Sequence, residues 1–157
     1  MDNWIYTTSE NNKARFTLGQ KGENVLACLG INPSTAHPGK LDSTVTSLKN
    51  IAQNNGFDGW VVINVYPQRA TDPNDIHKRM NRELHSQNLV QIKQCLKDHQ
   101  VKALWLAYGD LIHQRSFLKT CLGDLFIELN QLEIEYYIVQ DLTKKGNPRH
   151  PLYKKAT

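Results

Sequence analysis

One short segment constrains the fold of this chain more than any other. Residues Val25 to Leu29 form an apolar run without helical spacing, which is typical of a buried strand. Pro33 ends that strand, because proline has no backbone N–H to donate to a sheet. In an open parallel sheet, ligands bind beyond the carboxyl ends of the strands. The segment after Gly30 is therefore either a binding site or an ordinary strand-to-helix turn, and its candidate site residues are Asn32, Ser34 and Thr35.

Strand-like and helix-like segments alternate along the chain and predict one α/β domain over residues 1–157. A polar turn at 9–13 predicts an N-terminal β-hairpin that covers a sheet edge. Right-handed crossovers then give a three-layer α/β/α sandwich with a four-stranded, mainly parallel central sheet. The predicted core strands are 24–29, 60–65, 101–107 and 135–139, and the predicted helices are 42–55, 82–99 and 111–132. In the first helix, Asp42 is the expected N-cap, and the helical spacing places Val45, Leu48, Ile51 and Ala52 on one face.

Composition narrows the functional classes only slightly. The net charge of +4 permits contact with phosphate but does not require it. The three cysteines (Cys28, Cys95 and Cys121) are far apart and have no metal-binding spacing, which favours reduced thiols in a cytoplasmic protein. Neither a secretory signal nor an apolar run of membrane-spanning length is recognisable. We expect no membrane partner, no cofactor and no metal, and the oligomeric state stays open.

The second core strand contains a polar residue at an unusual place. Asn64 interrupts the apolar segment 60–65, and Tyr66 and Arg69 follow directly. A buried amide needs partners for two donors and two acceptor lone pairs. Asn64 therefore either recognises a planar hydrogen-bonding face, such as the edge of a nucleobase, or braces a neighbouring loop.

The last loop presents a histidine between stiffening residues. Pro148 and Pro151 restrict the backbone around Arg149 and His150. A histidine held in this way can donate to a carbonyl oxygen that gains negative charge during bond cleavage. The alternative is a tail packed over the sheet, with His150 bonded to the backbone. Basic residues, Arg149 among them, would suit a phosphate backbone.

Four motifs resemble, in the same order, a family of small bacterial and phage proteins known as domain of unknown function 1643. The motifs are 32–36, 42–44, Asn64 with 69–73, and 148–153. The resemblance spans most of the chain, but it implies no activity.

A more distant resemblance does imply one. The segment 30–33 is similar to the first motif of the mismatch-specific uracil-DNA glycosylases, Gly-Ile-Asn-Pro-Gly. This resemblance implies the sheet of that superfamily, a water-positioning role for Asn32, base reading by Asn64 and a base-carbonyl contact by His150. Ser34 and Leu152 depart from the motifs, where the glycosylases have glycine and serine, and no catalytic aspartate follows Gly30.

Two functions follow from these residues. The first is a glycosylase-like hydrolase that cleaves the N-glycosidic bond of a base in DNA or of a nucleotide by water attack, with Asn32 and His150 as catalytic residues. The second is a non-catalytic nucleic-acid or nucleotide-binding module that uses the same crevice. A third function, a protein-interaction or host-defence accessory, would have no recognisable signature in the sequence. We expect Ser34 and Thr35 to hold a phosphate at a helix start. Asn64 would contact the base edge, and Tyr66 would stack on the base. The remaining expected substrate contacts are Arg69 and Arg149.

Overall fold

The computed structural model describes residues 3–138 and 145–147 and confirms an α/β protein. Within these residues a six-stranded sheet is combined with three α-helices and two short 3₁₀ turns, Pro73–Asp75 and Gly109–His113. The strands are β1 (Trp4–Thr8), β2 (Arg15–Gln20), β3 (Val25–Gly30), β4 (Gly59–Asn64), β5 (Ala103–Leu106) and β6 (Glu135–Tyr137). The helices are α1 (Ser43–Asn54), α2 (Arg82–Asp98) and α3 (Ser116–Leu129).

The N-terminal hairpin is part of the main sheet, which corrects the predicted four-stranded sheet. The strand order is β1-β2-β4-β3-β5-β6. Strands β1, β2 and β4 pair antiparallel, whereas β4, β3, β5 and β6 pair parallel to one another. The hairpin joins because β2 is buried along nearly its whole length and pairs Leu18 with Val62 of β4. A single sequence pattern does not reveal such a long-range pairing.

Both faces of the sheet are covered, because successive side chains of a strand point to opposite faces. Leu26 and Cys28 of β3 pack with buried residues of α1, on the face that we call the α1 face. Val25, Ala27 and Leu29 pack on the opposite face with buried residues of α2 and α3. This double burial explains why β3 is apolar at nearly every position.

Helix α1 agrees closely with its prediction. The Asp42 carboxylate caps its first turn by accepting the backbone N–H of Val45 at 2.9 Å. The buried face consists of Val45, Leu48, Ile51 and Ala52, the residues that the helical spacing selects. Ser34 and Thr35, however, lie in the preceding loop, so their expected position at a helix start was wrong.

Helix α3 is shorter than predicted and begins at Ser116. A 3₁₀ turn over Gly109–His113 occupies the start of the predicted segment, and Gly123 lies inside the helix without breaking it. In the part of the chain that the structure describes, no helix combines the length and apolarity needed to cross a bilayer.

Candidate functional site

A cavity of about 210 Å³ lies on the α1 face, beyond the carboxyl ends of β3 and β4. These two strands are parallel neighbours, and Gly30 at the end of β3 pairs in register with Asn64 at the end of β4. The cavity is smaller than the roughly 300–1,000 Å³ clefts that hold drug-sized ligands, and so suits a small ligand. Polar lining residues are Arg15, Asn32, Ser34, Asp42, Thr44, Asn64 and Thr71, and apolar ones include Cys28, Val45, Leu48 and Val62.

Asn64 lines the cavity, and its amide nitrogen is unpaired in the described part of the chain. Its side chain is only 2% exposed, and its Nδ2 has no hydrogen-bond partner among the described residues. The backbone carbonyl of Asn64 is held separately by Nδ2 of Asn88, at 2.9 Å. A loop-bracing role would require bonds that Nδ2 of Asn64 does not make. A buried unpartnered donor costs about 1–3 kcal/mol, so its presence beside a cavity points to a ligand.

Gly30 provides the space for that amide. A Cβ atom at position 30 would lie 2.9 Å from Oδ1 of Asn64, closer than real Cβ contacts allow. The glycine of the Gly-Ile-Asn-Pro segment is therefore explained by its neighbour on β4. The two residues form one unit of the site.

Asn32 joins the two loops that border the cavity. Its Nδ2 donates to the carbonyl oxygens of Pro33, Gln68 and Ala70 at 3.1, 3.2 and 2.9 Å. These bonds fix the plane of the amide. No donor among residues 3–138 and 145–147 bonds to its Oδ1, so this oxygen remains an acceptor of fixed direction.

Ser34 and Thr35 differ in their relation to the cavity. Ser34 lines it, and its hydroxyl lies 2.5 Å from the hydroxyl of Thr71 on the opposite loop. Thr35 is exposed and is not among the lining residues.

Arg69 lies behind the cavity wall, where all of its guanidinium nitrogens have partners. It donates to the backbone carbonyls of Asn12, Ser34 and Ala36, to Oδ1 of Asn12 and to the hydroxyl of Tyr6, at 2.7–3.2 Å. These bonds clamp the loop after β3 to the hairpin. The arrangement gives Arg69 a structural role, with no donor free for a ligand.

Tyr66 lies outside the cavity, on the α2 and α3 side of the sheet, and its side chain is 0% exposed. Its ring packs edge-on against Phe117, with 5.0 Å between the ring centroids. Its hydroxyl accepts the N–H of Asn81 at 3.0 Å and lies 2.6 Å from Nδ1 of His77. Burial raises the pKa of Tyr66 and lowers that of His77, which favours a neutral imidazole as acceptor. A ring in this position does not reach a ligand in the cavity.

Two further candidates, Arg149 and His150, lie outside the described residues. The catalytic role expected of His150 and the phosphate contact expected of Arg149 therefore stay predictions.

Sequence reasoning missed Arg15, which lines the cavity and is 2% exposed. Simple alternation from Leu18, whose side chain is on the α1 face, would place Arg15 on the opposite face. The register of the hairpin shifts, however, because Thr7 pairs with Thr17 whereas Thr8 pairs with Arg15. Such a bulge re-aims side chains, frequently next to functional sites. The only signal in the sequence was a cation directly before Phe16, at the start of a strand-like segment.

Among the described residues, Asp42 is the one carboxylate that lines the cavity. Its Oδ1 caps α1, and its charge raises the pKa of Arg15. Burial and the neighbouring Arg69 lower that pKa more strongly, to about 10, so Arg15 remains charged at neutral pH. No cluster of three His, Cys, Asp or Glu side chains suited to a metal ion occurs within 3–138 and 145–147.

The fold and the site define an α/β protein with a small amide-lined cavity at the ends of two parallel strands. Residues 15–152 match the family described as "Protein of unknown function (DUF1643)". The chain belongs to this family, which confirms the resemblance drawn from its four motifs. A search among curated proteins finds no match to the chain.

Proposed function

We propose that this protein is a glycosylase-like hydrolase that holds a nucleobase in the cavity and cleaves its N-glycosidic bond by attack of water. The observation that carries the proposal is the buried amide nitrogen of Asn64 beside Gly30, which has no partner among the described residues. An amide offers one donor group and one acceptor in one plane, which is the pattern needed to pair with the edge of a base. The cavity volume of about 210 Å³ suits a single ring system better than a larger ligand.

Asn32 is the residue that we assign to the water. Its Nδ2 is occupied by three carbonyls, so its Oδ1 is the atom left to accept a hydrogen bond from a water molecule. A neutral amide orients water but does not take its proton, so Asn32 contributes positioning rather than basicity. The rate then depends on stabilising the departing base, the role that the glycosylase resemblance gives to His150.

The sheet supports the same reading. Strands β4, β3, β5 and β6 are parallel, and the ends of β3 and β4 bring Asn32 and Asn64 to one cavity. This placement agrees with the uracil-DNA-glycosylase-like arrangement that the Gly-Ile-Asn-Pro segment suggests. A target base in duplex DNA would have to be flipped into the cavity, at a cost of a few kcal/mol for an intact pair.

The test is a base-release assay on DNA oligonucleotides that contain uracil, hypoxanthine or xanthine, and on the corresponding nucleotides. We expect wild type to release at least one base. We expect Asn32→Ala to lose release while it still binds the substrate, and Asn64→Ala to lose both. Asn50→Ala, at an exposed position of α1, is the matched control and should behave as wild type. Failure of wild type to release any base, with all proteins folded, would contradict the enzymatic proposal.

A non-catalytic binding module is the second candidate, and one observation favours it. The Nδ2 group of Asn32 donates to three carbonyls of two loops. These bonds stabilise the loops whether or not the protein catalyses a reaction. Under this alternative, wild type binds a nucleotide or nucleic acid and releases no base. Binding that weakens steeply with salt would indicate nucleic acid, whereas salt-insensitive binding would indicate a free base or nucleoside.

A further inference from the structure

Arg15 and Arg69 direct their guanidinium groups to the same carbonyl oxygen. The Nη1 atoms of both side chains donate to the backbone oxygen of Ala36, each at 3.1 Å. Arg69 makes four further hydrogen bonds. Arg15 is 2% exposed, yet its Nε has no partner among the described residues. The two neighbouring arginines thus differ in how many of their hydrogen-bond donors have a partner.

Arg15 also has no counterion in the described part of the chain. Within residues 3–138 and 145–147, no carboxylate oxygen lies within 4.0 Å of its guanidinium; the ion pairs found there are His85–Asp124 and Lys93–Glu128. Asp42 lines the same cavity but is not paired with Arg15 at that distance. Two arginines and one aspartate give this corner of the cavity a net formal charge of +1.

A buried cation without a carboxylate partner is unfavourable, because burial removes its hydration and the bond to the carbonyl of Ala36 replaces only part of it. Arg15 nevertheless lies at the wall of a cavity that has room for a ligand. An anion in the cavity would supply the missing acceptor for Arg15 and offset the repulsion by Arg69. Charge-assisted hydrogen bonds from arginine to carboxylate or phosphate oxygens are the strong ones.

We propose that Arg15 is an anion-recognition residue and that the ligand of the cavity carries an anionic oxygen group, a carboxylate or a phosphate. Combined with the proposed function, on which this part of the inference rests, the ligand is an acidic base or a nucleotide. Its ring contacts Asn64, and its anionic oxygens contact Arg15. A neutral base alone would leave Arg15 without a counterion.

The test compares ligands that share one ring and differ in charge. Uracil is the neutral probe, and 6-carboxyuracil adds a single carboxylate. Uridine 5′-monophosphate and inorganic phosphate supply the phosphate arm. Binding to the full chain is measured by calorimetry for wild type, Arg15→Gln and Arg15→Lys. Arg79→Gln is the matched control, because Arg79 is exposed and not part of the cavity wall.

We expect wild type to bind at least one of the charged ring compounds at least tenfold more tightly than uracil, since a hydrogen bond to a charged group corresponds to about a tenfold change or more. Arg15→Gln should abolish this preference and leave the affinity for uracil within about twofold. Arg15→Lys should keep part of the preference, and Arg79→Gln should keep all of it. Whichever charged compound binds more tightly identifies the source of the anion.

Equal affinity of wild type for charged and neutral probes would overturn the proposal, as would retention of the preference by a folded Arg15→Gln. If Arg15→Gln does not fold, the wild-type comparison and Arg15→Lys decide the question. Failure of the proposed function has a different signature: uracil would not bind, whereas inorganic phosphate would still bind in a manner that depends on Arg15.

Discussion

Replacing Gly30 by alanine tests whether the Gly30–Asn64 pair forms the centre of the site. The added Cβ would lie 2.9 Å from Oδ1 of Asn64, so the amide must move. Overpacking costs about 1–3 kcal/mol, and the lower part of that range applies if the side chain of Asn64 can rotate away. Replacing a glycine within a strand stabilises the folded state by about 0.5–1 kcal/mol, because less backbone entropy is lost on folding. We therefore expect a net destabilisation of about 0–2.5 kcal/mol, combined with a loss of ligand binding.

The double variant Gly30→Ala/Asn64→Ala shows whether the clash is with that amide. If it is, removing the amide relieves the strain, and the two substitutions are non-additive by about 1–3 kcal/mol. Unfolding in urea, followed by tryptophan fluorescence, gives the free energies. Gly123→Ala is the matched control, because a Cβ there meets nothing within 4 Å, and we expect it to stabilise helix α3 by up to about 1 kcal/mol.

Two results would refute this reasoning. One is an additive double variant, which would mean that the strain lies elsewhere. The other is a Gly30→Ala protein that binds its ligand as wild type does, which would mean that the Asn64 amide takes no part in recognition.

Three further predictions concern residues outside the cavity wall. Arg69→Ala removes five hydrogen bonds and should lower the free energy of unfolding by about 2–4 kcal/mol; an effect below 1 kcal/mol in urea unfolding would contradict the clamp. Tyr66→Phe should lower stability by about 1 kcal/mol and leave ligand affinity unchanged in calorimetry, whereas a loss of affinity would indicate a direct role for its hydroxyl. Backbone N–H groups of Asn24 and Glu23 lower the pKa of Asp58 below the ordinary value of an aspartate, 3.8. The contribution of Asp58 to stability is therefore complete above that value and is lost as the pH falls through the lowered pKa. The urea midpoint should therefore fall less on acidification in Asp58→Asn than in wild type, and equal slopes would contradict this.

The parts of the fold that could be predicted depend on local sequence. Helix α1 was predicted with its cap and its buried face because Asp42 and the spacing of four apolar residues act within a few turns. The apolar run of β3 and the polar end of β4 placed Asn32 and Asn64 at neighbouring strand ends for the same reason. Local chemistry thus located the cavity.

The parts that could not be predicted depend on register and on chain direction. Arg15 reaches the cavity because a bulge shifts the hairpin register, which no periodicity reveals. Tyr66 is two residues beyond Asn64, so an extended strand would place both on one face. Strand β4 ends at Asn64, however, and Tyr66 packs on the opposite face. The joining of the hairpin to β4 likewise depends on contacts that are distant in sequence.

Hydrogen-bond use separates the polar residues with partners inside the protein from those that we propose to contact a ligand. Arg69 and Tyr66 have partners for their polar groups within the protein, so neither gains a bond from a ligand. Arg15 and Asn64 are equally buried but keep donors that nothing in the described chain accepts. Burial of such groups opposes folding. Replacing Arg15 by Met, an apolar residue of similar length, should therefore raise the stability of the ligand-free protein while it removes anion binding. A lower stability of Arg15→Met would instead assign Arg15 to the clamp that Arg69 forms.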